Sequence, residues 1–189
     1  MCIRDRYSAD IDALIIMGTA GKNPLGGVGI FLVNLLTVFK GERHRSKFID
    51  KMGFGSYNKT FSDVRTPMDW LSADRDNVAR YIADEKCGFL FTLAGYRDLF
   101  TLLNSVNVKS WGEGIRKDLP VLVISGRDDP VGGYGKGVEE VYRQLKEKGV
   151  ADVTLSLWDG LRHEILNETD KQPVYDAIAG WTAEKIVLA

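Results

Sequence analysis

Cysteine and histidine are scarce in this chain, with two of each among 189 residues: Cys2, Cys87, His44 and His163. Two cysteines this far apart set up neither a disulfide framework nor a Cys-x-x-Cys spacing, so a reducing, cytoplasmic setting is expected. Two histidines with no cysteine pair beside them fit a zinc site poorly, and no metal is expected. An excess of charge of one sign is lacking too. The 25 basic and 26 acidic residues leave a net charge of -1, and no basic run or aromatic platform offsets that balance, so no nucleic-acid partner is expected. Long apolar runs are missing: the longest, residues 30–39, is broken by Asn34 and Thr37 and is too short to span a bilayer. Gly132-Gly133-Tyr134-Gly135 lacks the lysine and serine spacing of a phosphate loop, so no phosphate-cradling glycine motif is expected. Internal repeats, low-complexity tracts and proline-rich linkers are also absent.

What is present reads as an α/β chain. Residues 119–125, Leu-Pro-Val-Leu-Val-Ile-Ser, form a short β-favouring apolar run bounded by Pro120 and Ser125-Gly126, the pattern of a strand buried on both faces inside a parallel sheet. Residues 12–17 and 153–158 repeat it. Val138, Val141, Tyr142 and Leu145 recur at helical spacing up to Gly149, which gives a strand-helix-strand unit with a right-handed crossover. Residues 173–186 make a last helix through Val174, Ile178 and Trp181.

About a hundred residues separate the first strand from the second, although a parallel crossover needs only one helix. The surplus implies an inserted helical subdomain. Within it, residues 29–39 predict a very apolar helix, followed by a charged stretch (42–51) and a loop (53–58). Ser72 is the expected cap of a helix burying Val78, Tyr81 and Ile82, and Tyr96, Leu99, Phe100 and Leu103 share one face of another. The expected organisation is a sheet part at 7–21 and 117–189 and a helical cap at 22–116. Residues 1–6 match no element pattern and read as a non-native leader.

Ligands and catalytic groups gather at the carboxyl ends of parallel strands. Asp128 and Asp129 follow the second of these strands, and His163 follows the third. An aspartate before proline is what a simple turn uses, and a single histidine after a strand can equally be structural. Together, at neighbouring strand tips, they supply the carboxylate and imidazole of a nucleophilic acyl-transfer relay.

At this point the motifs resemble a known family. Gly126-Arg127-Asp128-Asp129-Pro130-Val131-Gly132 is similar to the acid loop of lysophospholipase and monoacylglycerol-lipase-like α/β-hydrolases, grouped with the serine aminopeptidase-type domain. The histidine-loop counterpart is residues 160–168, Gly-Leu-Arg-His-Glu-Ile-Leu-Asn-Glu, and residues 65–72 and 84–91 resemble the cap. The resemblance runs from about Ser8 to the C-terminus. It implies three parallel strands of an α/β-hydrolase sheet with an inserted cap, Asp129 as triad acid and His163 as triad base, in the family's chain order. It also implies a small lipid or ester substrate and a cap closing over an acyl chain, with Phe31, Leu35 and Leu36 as pocket candidates.

None of the nine serines stands in the G-x-S-x-G context of a nucleophile elbow; Ser56, in Gly53-Phe54-Gly55-Ser56-Tyr57, comes nearest. The nucleophile and the oxyanion hole belong upstream of Ser8 in this family. The sequence thus reads as the C-terminal portion of a serine hydrolase of lipid esters, with the N-terminal half as a candidate partner. A peptidase of the same fold and a non-catalytic module holding an apolar ligand are the alternatives. The 189-residue chain by itself is expected to turn over no ester. Hydrolysis of a short p-nitrophenyl ester that disappears in His163→Ala is the result that would contradict this.

Overall fold

The computed structural model describes residues 7–22, 26–106, 108 and 110–186; the leader reading at 1–6 falls outside them. The described strands and α-helices run β1 (Leu14–Met17), α1 (Gly26–Lys40), α2 (Lys47–Phe54), α3 (Arg75–Ala83), α4 (Leu93–Val106), β2 (Val121–Gly126), α5 (Lys136–Glu147), β3 (Val153–Trp158) and α6 (Gln172–Lys185). The chain divides into two compact units. One comprises Met1–Gly21, Trp70–Val78 and Ser110–Ala189, and the other Lys22–Asp69 and Ala79–Lys109.

The first unit is built on a parallel sheet in the order β1-β2-β3. All six residues of β2 are buried, and its alternating side chains explain why. Val121 and Val123 join Val138, Val141 and Leu145 of α5 on one face, while Leu122 and Ile124 meet Ile165, Val174 and Trp181 on the other. A strand covered on both faces must be apolar at every position, which is why it carries a continuous run in place of alternation. β1 differs from the buried strand expected: Leu14 and Ile16 pack against the core, but Ile15 and Met17 are each 37% exposed. Its apolar composition does not distinguish a central strand from an edge with one open face.

Residues 70–78 and 110–116, expected in the cap, group with the sheet. The reason is local bonding. Leu71 accepts the Glu164 N–H, and Ser8 bridges to the Gly114 carbonyl and the Arg116 N–H, each at 3.1 Å. Trp111 and Ile115 belong to the core that contains Val121. The expected cap at Ser72 also moves. Helix α3 begins at Arg75, and Asp74 accepts the N–H groups of Asp76 and Asn77 at 2.8 and 3.1 Å. In α3, Val78 is buried and Ile82 is 49% exposed, so the stripe is narrower than its spacing suggests.

The second unit has its own core of Val33, Ile49, Leu93, Tyr96 and Phe100, contributed by α1, α2 and α4. The charged stretch 42–51 ends inside α2, capped by the Ser46 hydroxyl. Tyr96 donates to Asp50 at 2.8 Å, and burial together with that carboxylate pushes the phenol well above its ordinary 10.0. Among the described residues, no helix is long and apolar enough to cross a membrane.

Asp69 is almost fully buried. Burial pushes its carboxyl up, but hydrogen bonds from the Thr66 hydroxyl and the Arg65 and Thr66 N–H groups, with the Arg65 charge, outweigh it and hold the group below its ordinary 3.8. A depressed carboxylate stabilises the fold fully above its unfolded pKa and loses that contribution as pH falls through the folded value. Asp69→Asn is therefore expected to lower Tm at pH 7, with the gap to the parent closing below pH 3.8. A thermal melt series from pH 7 to pH 2.5 measures it.

Candidate active site

The acid loop leaves β2 at Gly126. Asp129, with no exposed surface, is held from its own loop and from the end of β2: Val131 N–H donates to Oδ1 at 2.8 Å, and the Ser125 hydroxyl lies 3.3 Å from Oδ2. Its backbone carbonyl accepts the Tyr134 N–H at 2.9 Å. Oδ2 also lies 2.9 Å from His163 Nδ1. Asp128, one place earlier, is only partly buried. A buried carboxylate on Nδ1 puts the ring proton on that nitrogen and leaves the Nε2 lone pair free to accept another. Among the described residues Nε2 has no hydrogen-bond partner.

The pair forms because the two loops are joined before they diverge. Gly126 is opposite Trp158 at the last step of the β2–β3 register. Beyond it, Arg127 N–H donates to Trp158 and Asp128 N–H to Leu161, at 2.8 and 3.0 Å. The histidine loop crosses so closely over Gly126 that a methyl group there would sit inside the carbonyl oxygens of Leu161 and Arg162. Gly18, at the tip of β1, provides the second close approach. Its φ is +59°, and a Cβ on it would stand 3.2 Å from His163 Cε1. The imidazole fits against β1 because that residue has no side chain.

The exposed part of His163 opens into a cleft of about 300 Å³ lined also by Met17, Gly18, Glu164, Ile165, Leu166 and Asn167. The Trp70 ring packs against the imidazole at 5.4 Å between centroids. Glu164 is fixed there by Asn77 and Asn167, whose side-chain amides donate to Oε2 at 2.7 and 3.1 Å.

Asp129 and His163 are thus brought together. Phe31, Leu35 and Leu36 are all on α1 in the second unit. Phe31 and Leu35 are 66% and 46% exposed, whereas Leu36 packs partly buried against the Val33–Ile49 core. Ser125 touches the acid on the side of Nδ1, is buried, and has none of the exposure a nucleophile needs. Sequence reasoning missed Gly18, Trp70 and the support that Ser125 gives the acid. The strand-to-glycine step Met17-Gly18 is the one signal that could have marked the first. Among the described residues no cluster of His, Cys, Asp and Glu could hold a metal ion.

Residues 2–170 match the family model described as Serine aminopeptidase, S33. The chain belongs to that family. Its fold is that of an α/β-hydrolase. A highly thermostable carboxyl esterase from Bacillus coagulans superposes on 97% of this chain with a TM-score of 0.84 and 27% identity. A lipase in an open form covers 96% of this chain with a TM-score of 0.83 and 20% identity. A monoglyceride lipase from Saccharomyces cerevisiae covers 96% at 0.65 and 21%. The chain spans 60% of the length of the esterase and of the lipase, and 58% of the monoglyceride lipase.

Gly126→Ala should be among the most damaging small changes available to this S33 chain. Neither carbonyl can move without displacing the histidine loop, so a loss of about 2 kcal/mol or more is expected from overpacking, read by urea unfolding. Gly18→Ala should cost less, through its left-handed backbone and the imidazole contact.

Proposed function

We propose that Asp129 and His163 are the acid and base of a Ser-His-Asp triad that hydrolyses carboxylic esters of lipids, of the monoacylglycerol or lysophospholipid type. The serine and the oxyanion hole come from residues outside these 189. The observation that carries this is the 2.9 Å contact between a fully buried carboxylate and Nδ1 of an imidazole whose other nitrogen is unpartnered among the described residues. His163 Nε2 takes the proton of the incoming hydroxyl as it attacks the ester carbonyl. Asp129 stabilises the imidazolium, and Nε2 then returns the proton to the leaving alcohol. Water repeats the cycle on the acyl-enzyme. No metal or cofactor enters this proton path.

Membership of the family and the esterase and lipase names of the structural neighbours support the ester class. The family description, a serine aminopeptidase, favours a second reading in which the same dyad serves amide hydrolysis. Acyl-enzyme chemistry is common to the two, and the leaving group separates them.

The test is co-expression of the chain with an N-terminal α/β-hydrolase half that carries G-x-S-x-G. The expected result is hydrolysis of monoacylglycerol and p-nitrophenyl butyrate, with aminoacyl p-nitroanilides left intact. In that complex His163→Ala should lower kcat by about 10⁶-fold and Asp129→Asn by about 10⁴-fold. Restored turnover that is indifferent to His163→Ala would sink the proposal, and preferential cleavage of the anilides would shift it to the peptidase reading.

A further inference from the structure

Glu168 is 2% exposed, and a carboxylate taken out of water is costly unless donors surround it. Here they do. Oε1 accepts the Arg162 N–H at 3.0 Å and the Ala73 N–H at 3.2 Å. Oε2 accepts the Ser72 hydroxyl at 2.7 Å and the N–H groups of Ala73 and Asp74 at 3.0 and 3.2 Å. One carboxylate therefore gathers the residue immediately before His163 together with three consecutive residues of the 70–78 segment.

On the other side of His163, Glu164 N–H donates to the Leu71 carbonyl at 2.8 Å. Arg162 Nη1 approaches the Ser72 carbonyl at 3.4 Å. The imidazole is consequently bracketed, with each neighbour in sequence tied to the run that also carries Trp70, whose ring lies against its own. Asp129 fixes one nitrogen of the ring but cannot fix where the loop stands. The Asp128 bond to Leu161 and the close approach over Gly126 anchor the start of that loop, and from Arg162 onward the task falls to Glu168.

We infer that Glu168 is the positioning residue for His163: through the Arg162 amide and the Ser72–Asp74 backbone it sets the loop so that Nδ1 meets Asp129. The inference rests on the proposed role of His163 but is tested without turnover. A purely structural clamp would change stability alone, whereas a positioning residue also changes which ring nitrogen carries the proton.

His44→Gln leaves His163 as the one imidazole of the chain, so its ring nitrogens can be read directly by two-bond ¹H–¹⁵N correlation in the ¹⁵N-labelled full chain. In the parent, the Nδ1–H tautomer should dominate at alkaline pH, with a slowly exchanging low-field Nδ1 proton. In Glu168→Ala and in the near-isosteric Glu168→Gln, that proton signal should vanish and the Nε2–H form become the major one, as in Asp129→Asn. Glu168→Asp should restore the parent pattern in part. A folded Glu168→Gln with an unchanged tautomer would overturn the inference. Should Glu168→Ala and Glu168→Gln both fail to fold, Ser72→Ala, which removes one donor and keeps the carboxylate, decides it. A partial shift in the same direction supports positioning, and an unmoved spectrum refutes it. Absence of ester hydrolysis in the complemented enzyme would overturn the catalytic reading while leaving the tautomer result in place.

Discussion

The parallel pairing of β2 with β3, in register up to Gly126 opposite Trp158, is the constraint on which the rest depends. Parallel strands deliver their loops to the same edge, and here the ladder continues past the strands through Arg127 and Asp128 into the turn after β3. Separate loops of this length would sample many relative positions, and ordering them would cost roughly 1–2 kcal/mol per residue in backbone entropy. Shared hydrogen bonds, with the close approach over Gly126, make one arrangement of the two tips the low-energy one. The Asp129–His163 contact follows from that arrangement.

Much of this was legible in the chain because burial on both faces leaves an unmistakable composition. The run at 121–125 could hardly be anything else, and Asp129 and His163 follow from strand ends that the pattern locates to within a residue. Proline after Asp129 and glycine before Leu161 marked the turns.

What was not legible depends on distance along the chain. Glu168 binds residues more than ninety positions away, and nothing in its local sequence separates a buried carboxylate from a solvated one. Ser72 has the right type for a helix cap, and the structure uses it as a donor to that carboxylate, which leaves capping to Asp74. The error at β1 has the same origin. Its apolar side chains specify a strand, but which neighbours cover them is tertiary information. Tyr134, a non-glycine residue at a φ of 57°, is likewise imposed by the loop around it.

The contact between Trp70 and His163 has one more consequence. Indole emission is quenched by a nearby imidazolium more strongly than by neutral imidazole, and these rings are 5.4 Å apart. The molecule therefore contains a built-in optical indicator of the charge on that one histidine. Trp111, Trp158 and Trp181 add a background to that signal.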